Sequence, residues 1–314
     1  MIKVYWLYIK HKFKVIISQD YYHQPQGIGK AFYPKELKGY FNDLTGKTNW
    51  EGEVDLEGIP VNVLMDGRKV YFITTIIQKA LGHHDMWLLT KNQKEYDEFI
   101  KLSYWLVDKQ DNEGGWQIGS LLGRESISVY SAMAQGEAIS LLARAWLKTY
   151  DNIFRISAEK ALRLLITPIE NGGVCYFSDS DIFFEEAPTY PRNTILNGWM
   201  FALMGLYDYH LAFNNLEIKD LFIRTLSTLK KHLPDYDSGY WSYYDVRKHI
   251  SSAFYHNLHI AQLKAINMVE PDEIFSHYIS KWSKYKESTL NRYRALLLKI
   301  YQKIKEPEQI VIMK

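Results

Sequence analysis

Two patterns divide the chain. From about residue 68 onward, apolar residues return every three to four positions, the spacing of one helix face. Leu102 and Leu106 follow it, as do Met133, Ala134, Ala138, Leu141 and Leu142, and again Leu196, Met200, Leu203, Met204 and Tyr207. The periodicity predicts helices at about 70–82, 91–109, 127–149, 155–169, 193–213, 216–233, 251–268, 271–285 and 287–304. Residues 19–67 carry a different punctuation: Pro25, Gly27, Gly29, Pro34, Gly39, Gly46, Gly52, Gly58, Pro60 and Gly67. Such spacing predicts turns and short strands, with a small β element at 53–61. The expected organisation is a β-containing N-terminal segment at 1–67 and a helical domain at 68–314.

Glycine turns punctuate the helical part. Gly114-Gly115-Trp116, Gly172-Gly173-Val174 and Ser238-Gly239-Tyr240-Trp241 recur roughly every 60 residues, room for two helices and their loops. Helical hairpins that bury a common core can close on themselves, so the expected fold is mainly α, an (α/α) toroid or barrel. The loops between hairpins can carry function on such a scaffold. Three segments here are rich in reactive side chains: 176–192, 235–250 and 252–260.

Composition narrows the classes. A chain of 314 residues suits one large domain, or one domain with a small appendage. The net charge of +2 is too small to point to a nucleic-acid partner. No apolar run reaches the length of a membrane span. Residues 1–18 mix Lys3, Lys10, Lys12 and Lys14 with apolar residues and lack a separate apolar core and cleavage site. They read as an ordered N-terminal segment, with no visible signal peptide, and the cytoplasm is the default location. The single cysteine, Cys175, forms no intrachain disulfide and reads as a small buried hydrophobe. Aromatic residues make up 15%, with 24 Tyr and 9 Trp; they can fill a core or stack on sugar faces.

Three constellations carry candidate chemistry. Glu185 and Glu186 follow the apolar pair Phe183-Phe184. A carboxylate near a buried segment has its pKa raised toward neutrality and becomes fit for acid–base work; the alternative is a solvated acidic turn. Tyr243-Tyr244-Asp245-Val246-Arg247 places a cation beside tyrosines. Arg247 could favour a tyrosinate or clamp a carboxylate in bidentate fashion; surface packing is the other reading. His256 and His259 share a helix face, but without the glutamate and spacing of a zinc helix they read as structural or hydrogen-bonding histidines, not metal ligands. Phosphate-binding loops and nucleophile elbows are absent from the sequence, and Gly27-Ile28-Gly29 is a weak nucleotide signal.

Four pieces in order give the chain a resemblance. Met133-Ala134-Gln135-Gly136 comes first, then Phe184-Glu185-Glu186-Ala187-Pro188-Thr189 with Leu196-Asn197-Gly198-Trp199-Met200 and Gly205-Leu206-Tyr207-Asp208. Tyr244-Asp245-Val246-Arg247 and Tyr255-His256-Asn257-Leu258-His259 complete the set. Across about residues 100–265 these resemble the catalytic C-terminal domain of the D-glucuronyl C5-epimerases. The resemblance implies an isomerase acting on glucuronate in heparosan-like polysaccharide, an (α/α) barrel around the active site, and often a homodimer. It implies catalytic roles for Glu186, Tyr244 and Tyr255, with Arg247 near the substrate carboxylate. The substrate-binding set expected around them is Arg247, His256, Glu185, Tyr190, Arg192, Asn197, Arg124, Gln135 and Trp241. No organic cofactor is required by the chemistry. The resemblance is compatible with a structural Ca2+, with no ligands assigned. The family's tyrosine after the second glutamate is Ala187 here, and Tyr190, three residues on, is the candidate to replace it. A polysaccharide lyase, a glycoside hydrolase and a non-catalytic glycan-binding toroid are the other readings.

Overall fold

The structure, a computed structural model, describes residues 24–64, 67–118 and 127–306, together with the backbone of 312–313. The ordered segment expected at 1–18, and Arg124, lie outside the described residues. Among the described residues nine α-helices follow one another: α1 (Ile73–Thr90), α2 (Gln93–Asp108), α3 (Ala132–Thr149), α4 (Asn152–Ile166), α5 (Leu196–Phe213), α6 (Leu216–His232), α7 (Ala253–Val269), α8 (Glu273–Glu287) and α9 (Thr289–Lys305). They pair as hairpins α1–α2, α3–α4, α5–α6 and α7–α8. The first members pack in sequence as an inner row, α1 on α3, α3 on α5 and α5 on α7, with the second members outside. The fold is an (α/α) toroid of helical hairpins, as the repeating turns predicted. No helix of the described residues is long and apolar enough to cross a membrane.

Local chemistry sets the helix starts. Asn92, Ser131, Asp151, Asn215, Ser252, Asp272 and Ser288 each accept a backbone N–H of the first turn, satisfying a donor that the helix itself cannot. The inner helices α1, α3, α5 and α7 bury most of their length, whereas α9 buries only Ala295. Helix α1 runs past the expected end at 82 because its polar residues are answered inside the fold. His83 bonds Glu95, His84 bonds Asp85, and Asp85 accepts the Tyr40 backbone N–H.

The inner row depends on two glycines. A Cβ on Gly205 would lie 2.6 Å from the backbone of Gly136, and one on Gly136 would lie 2.5 Å from Ala202 Cα. Helices α3 and α5 therefore touch backbone to backbone. A buried ion pair, Arg144 Nη1 to Asp208 Oδ2 at 2.6 Å, ties the same two helices further along. Arg144 also donates to the carbonyls of Lys38 and Gly39, binding the segment before α1 to the toroid.

The β elements are small. β1 (Glu53–Val54) pairs antiparallel with β2 (Pro60–Leu64), confirming the predicted element; β2 also pairs β3 (Lys69–Val70) and β6 (Ile312–Met313). The surprise is β4 (Cys175–Ser178) with β5 (Asp181–Phe184), an antiparallel hairpin within the segment expected to be loop. Tyr176 faces Phe183 across it, Asp179 takes a positive φ of 52° at its turn, and Cys175 is buried at its start. The hairpin was hidden because its four-residue strands are too short to show an alternation.

The glycine contact generates a test. Gly205→Ala should destabilise the fold by about 1–3 kcal/mol, the usual cost of overpacking, read as a shift in the urea midpoint. An unchanged midpoint would mean that α3 and α5 separate without cost.

Candidate active site

The candidate residues converge where three inner helices begin. The Glu185 carbonyl accepts the Ala132 backbone N–H at 3.0 Å, pinning the exit of the β4–β5 hairpin to the start of α3. The next residue, Glu186, lays its carboxyl over the first turn of α5. A Cβ on Gly198 would stand 2.3 Å from Glu186 Oε2, so only glycine leaves room there. A helix N-terminus carries partial positive charge and favours a carboxylate at this place.

The loop before α7 is sewn to the loop before α5. Leu196 N–H donates to the Tyr244 carbonyl at 3.0 Å, Val246 N–H to the Asn193 carbonyl at 3.3 Å, and Ile195 bridges Asp245. Asp245 holds His249 at 2.7 Å within the same loop. This stitching sets Tyr244 against Tyr255 at the start of α7, ring centroids 4.8 Å apart and edge to face. Lys299 Nζ of α9 stands over the Tyr244 ring, 5.6 Å from its centroid.

Two arginines join the group. Arg247 is exposed and donates from Nη2 to Thr189 Oγ1 at 2.9 Å and from Nε to the Arg192 carbonyl at 3.3 Å. Arg192 lies flat on Phe183, 3.9 Å from its centroid, and its Nε is 3.8 Å from Glu185 Oε1. Its buried Nη1 has no hydrogen-bond partner among the described residues. Glu185 itself is fully buried and accepts from Thr194 Oγ1. Burial pushes its pKa up to about 7, against the pull of Thr194, Arg192 and Arg247. It braces Arg192.

Several expected binding residues belong to the scaffold. His256 is buried, donates from Nε2 to the Trp282 carbonyl at 3.0 Å and accepts at Nδ1 from Ser242 N–H. Burial lowers its pKa to about 4, so it is neutral and cannot balance a carboxylate. Trp241 stacks on His256 at 3.8 Å and donates to the Ser251 carbonyl, deep in the core rather than under a sugar. Gln135 donates to the Gly114 and Ala161 carbonyls, fastening a turn to the end of α4. Asn197 is buried in the first turn of α5. Tyr190 is 83% exposed on the surface. The resemblance had suggested a place near the site for these residues; a motif says where a residue falls, not which way it turns.

One ionisable group escaped the sequence reading. Glu137 of α3, fully buried, accepts from Gln78 Nε2 of α1 at 3.0 Å. The available signal was its place as a lone acid in the apolar helix that opens Met133-Ala134-Gln135-Gly136. Among the described residues no three His, Cys, Asp or Glu side chains gather as a metal site.

An (α/α) toroid with a carboxylate, two tyrosines and two arginines at one rim is the class that fold and site define. Residues 110–284 match the sequence profile described as the D-glucuronyl C5-epimerase C-terminus, and the chain belongs to that family. It is similar to a D-glucuronyl C5-epimerase of Caenorhabditis elegans, 31% identical over 223 residues, 63% of this chain and 36% of that one. The chain thus spans about a third of that relative's length. A Methanocaldococcus jannaschii protein of unassigned function is 27% identical over 216 residues, 62% of this chain and 70% of its own. Among solved structures, an unsaturated glucuronyl hydrolase from Bacillus sp. GL1 superposes with a TM-score of 0.45 at 14% identity, covering 70% of this chain and 61% of that one.

Glu185 makes stability depend on pH. Its native pKa of about 7 exceeds the ordinary 4.5, so the folded state holds the proton more tightly. The contribution is complete below about pH 4.5 and is lost as pH rises through 7. Urea unfolding at about pH 5 and pH 8 should show stability falling with pH, with a shallower fall in Glu185→Gln. Identical slopes would show that Glu185 carries no excess proton.

Proposed function

We propose that the protein is a uronic acid C5-epimerase, an isomerase that converts glucuronate to iduronate within an anionic, heparosan-like polysaccharide. The observation that carries this reading is the family match over 110–284, which contains Glu186, Arg192, Tyr244, Arg247 and Tyr255 together. Arg192 and Arg247 take the uronate carboxylate and stabilise the negative charge that develops on it. Glu186 and Tyr255 form the opposed pair. One removes the C5 proton, leaving its electron pair in the enolate, and the other returns a proton to the opposite face. Tyr244, edge-on to Tyr255, supports the tyrosine as donor or by tuning its charge. No organic cofactor enters the scheme. A homodimer belongs to the same reading, and the exposed stripe Leu290, Tyr293, Leu297, Tyr301 and Ile304 on α9 offers it a face.

Incubation with heparosan and other uronate polymers in deuterated water tests the reading by NMR. Deuterium at C5 with iduronate signals is the expected result. Tyr255→Phe should lower the exchange rate by about 10²–10⁴-fold, the range for a lost acid–base group. An unsaturated product in place of iduronate would make the protein a lyase; exchange unchanged in Tyr255→Phe would remove that tyrosine from the scheme.

A further inference from the structure

Helix α9 lies beyond the residues that match the family profile, 110–284. It buries only Ala295, which packs with Tyr240, Trp241 and Ile250. From Ala295 onward, Lys299, Gln302 and Glu306 follow at four, three and four residues, one face of the helix. All three meet the loop before α7. There the chain reverses: Lys248 N–H donates to the Asp245 carbonyl at 3.1 Å, Tyr244 N–H to the His249 carbonyl at 2.6 Å and Ser251 N–H to the Ser242 carbonyl at 3.1 Å. Lys248 takes a positive φ of 69° in this turn, a conformation that a side chain disfavours and that persists where surrounding groups hold it. Gln302 supplies such a hold from outside the loop. Its Oε1 accepts the Ile250 N–H at 2.8 Å, and its Nε2 donates to the Lys248 carbonyl at 3.0 Å. Glu306 adds a contact to His249 Nε2 at 3.1 Å.

We propose that Gln302 is a positioning residue for Tyr244 and Arg247, acting through the turn that carries both. This rests on the epimerase reading for its catalytic meaning; the hold on the turn is a property of the fold. The amide answers the two peptide groups that flank His249, one as acceptor and one as donor, as a neighbouring strand would. A carboxylate of the same length accepts but does not donate, and an asparagine is one methylene shorter. With His249 fixed on both sides, its carbonyl fixes the Tyr244 N–H. The Tyr244 ring then lies 4.8 Å from that of Tyr255 and 5.6 Å from Lys299 Nζ, one turn before Gln302 on α9. A displacement of about 1 Å costs a reacting group roughly 100-fold in rate, so a turn that bears two such groups gains from an external brace. A helix outside the matched region therefore completes the site.

Amide hydrogen exchange and the C5 exchange assay, both on the full chain, test this in two variants. Gln302→Met keeps the side-chain length and removes both bonds; Gln302→Glu keeps the acceptor alone. In each, the Ile250 and Tyr244 amides should exchange about fivefold faster or more, while the Ala132 amide, bonded to the Glu185 carbonyl, keeps its wild-type rate. For C5 exchange, kcat should fall by about tenfold or more, with KM changed less. A merely structural role would leave kcat unchanged, or would speed exchange at Ala132 as much as at Ile250; either result overturns the proposal. Turn amides that keep the wild-type rate in both variants overturn it as well. Should one variant fail to fold, the other decides the matter. A wild-type protein without C5 exchange would sink the epimerase reading alone, and the amide rates would still decide whether Gln302 holds the turn.

Discussion

Everything at the active rim depends on how closely α3 and α5 approach. With no side chain at Gly136 or Gly205, the two backbones meet. The β4–β5 hairpin then runs from one to the other: its end bonds the start of α3, and its next residue lies on Gly198 of α5. A side chain at any of these three glycines would push apart elements that hold reactive groups, not merely loosen a core. The contact that builds the fold is also the ruler that sets the site.

The second constraint is the backbone stitching between the loops before α5 and α7. It couples Arg192 and Glu186 on one side to Tyr244, Arg247 and Tyr255 on the other. Main-chain bonds do this with little dependence on side-chain identity. Glu185, His256, Trp241 and Gln135 are the supports of that arrangement. Each is buried and gives at least one polar atom to the protein.

The helical plan was legible because inner helices must be apolar on most faces and hairpins must turn, and glycine marks the turns. Glu186, Tyr244, Arg247 and Tyr255 could be picked out because they stand in ordered motifs, and the fold does gather them at one rim. Glu185, His256, Gln135 and Asn197, neighbours in those same motifs, are buried in the scaffold. The identity of a residue next to a reactive one does not reveal whether it faces the cavity or the core. Glu137 was missed for the opposite reason: it stands in a helix that reads as pure packing. Only its bond to Gln78, from another helix of the toroid, gives it a chemical setting.

Cys175 opens the hairpin that ends in Glu185, and it is the only sulfhydryl in the chain. Its thiol is sealed from solvent and burial raises its pKa, so alkylating reagents find no thiolate in the closed state. Labelling can proceed only through openings of this strand. Nature has thus left a built-in clock in the wall of the site: the rate at which a maleimide captures that sulfur times how often the carboxylate-bearing hairpin lifts from the toroid, with no probe introduced and no residue changed.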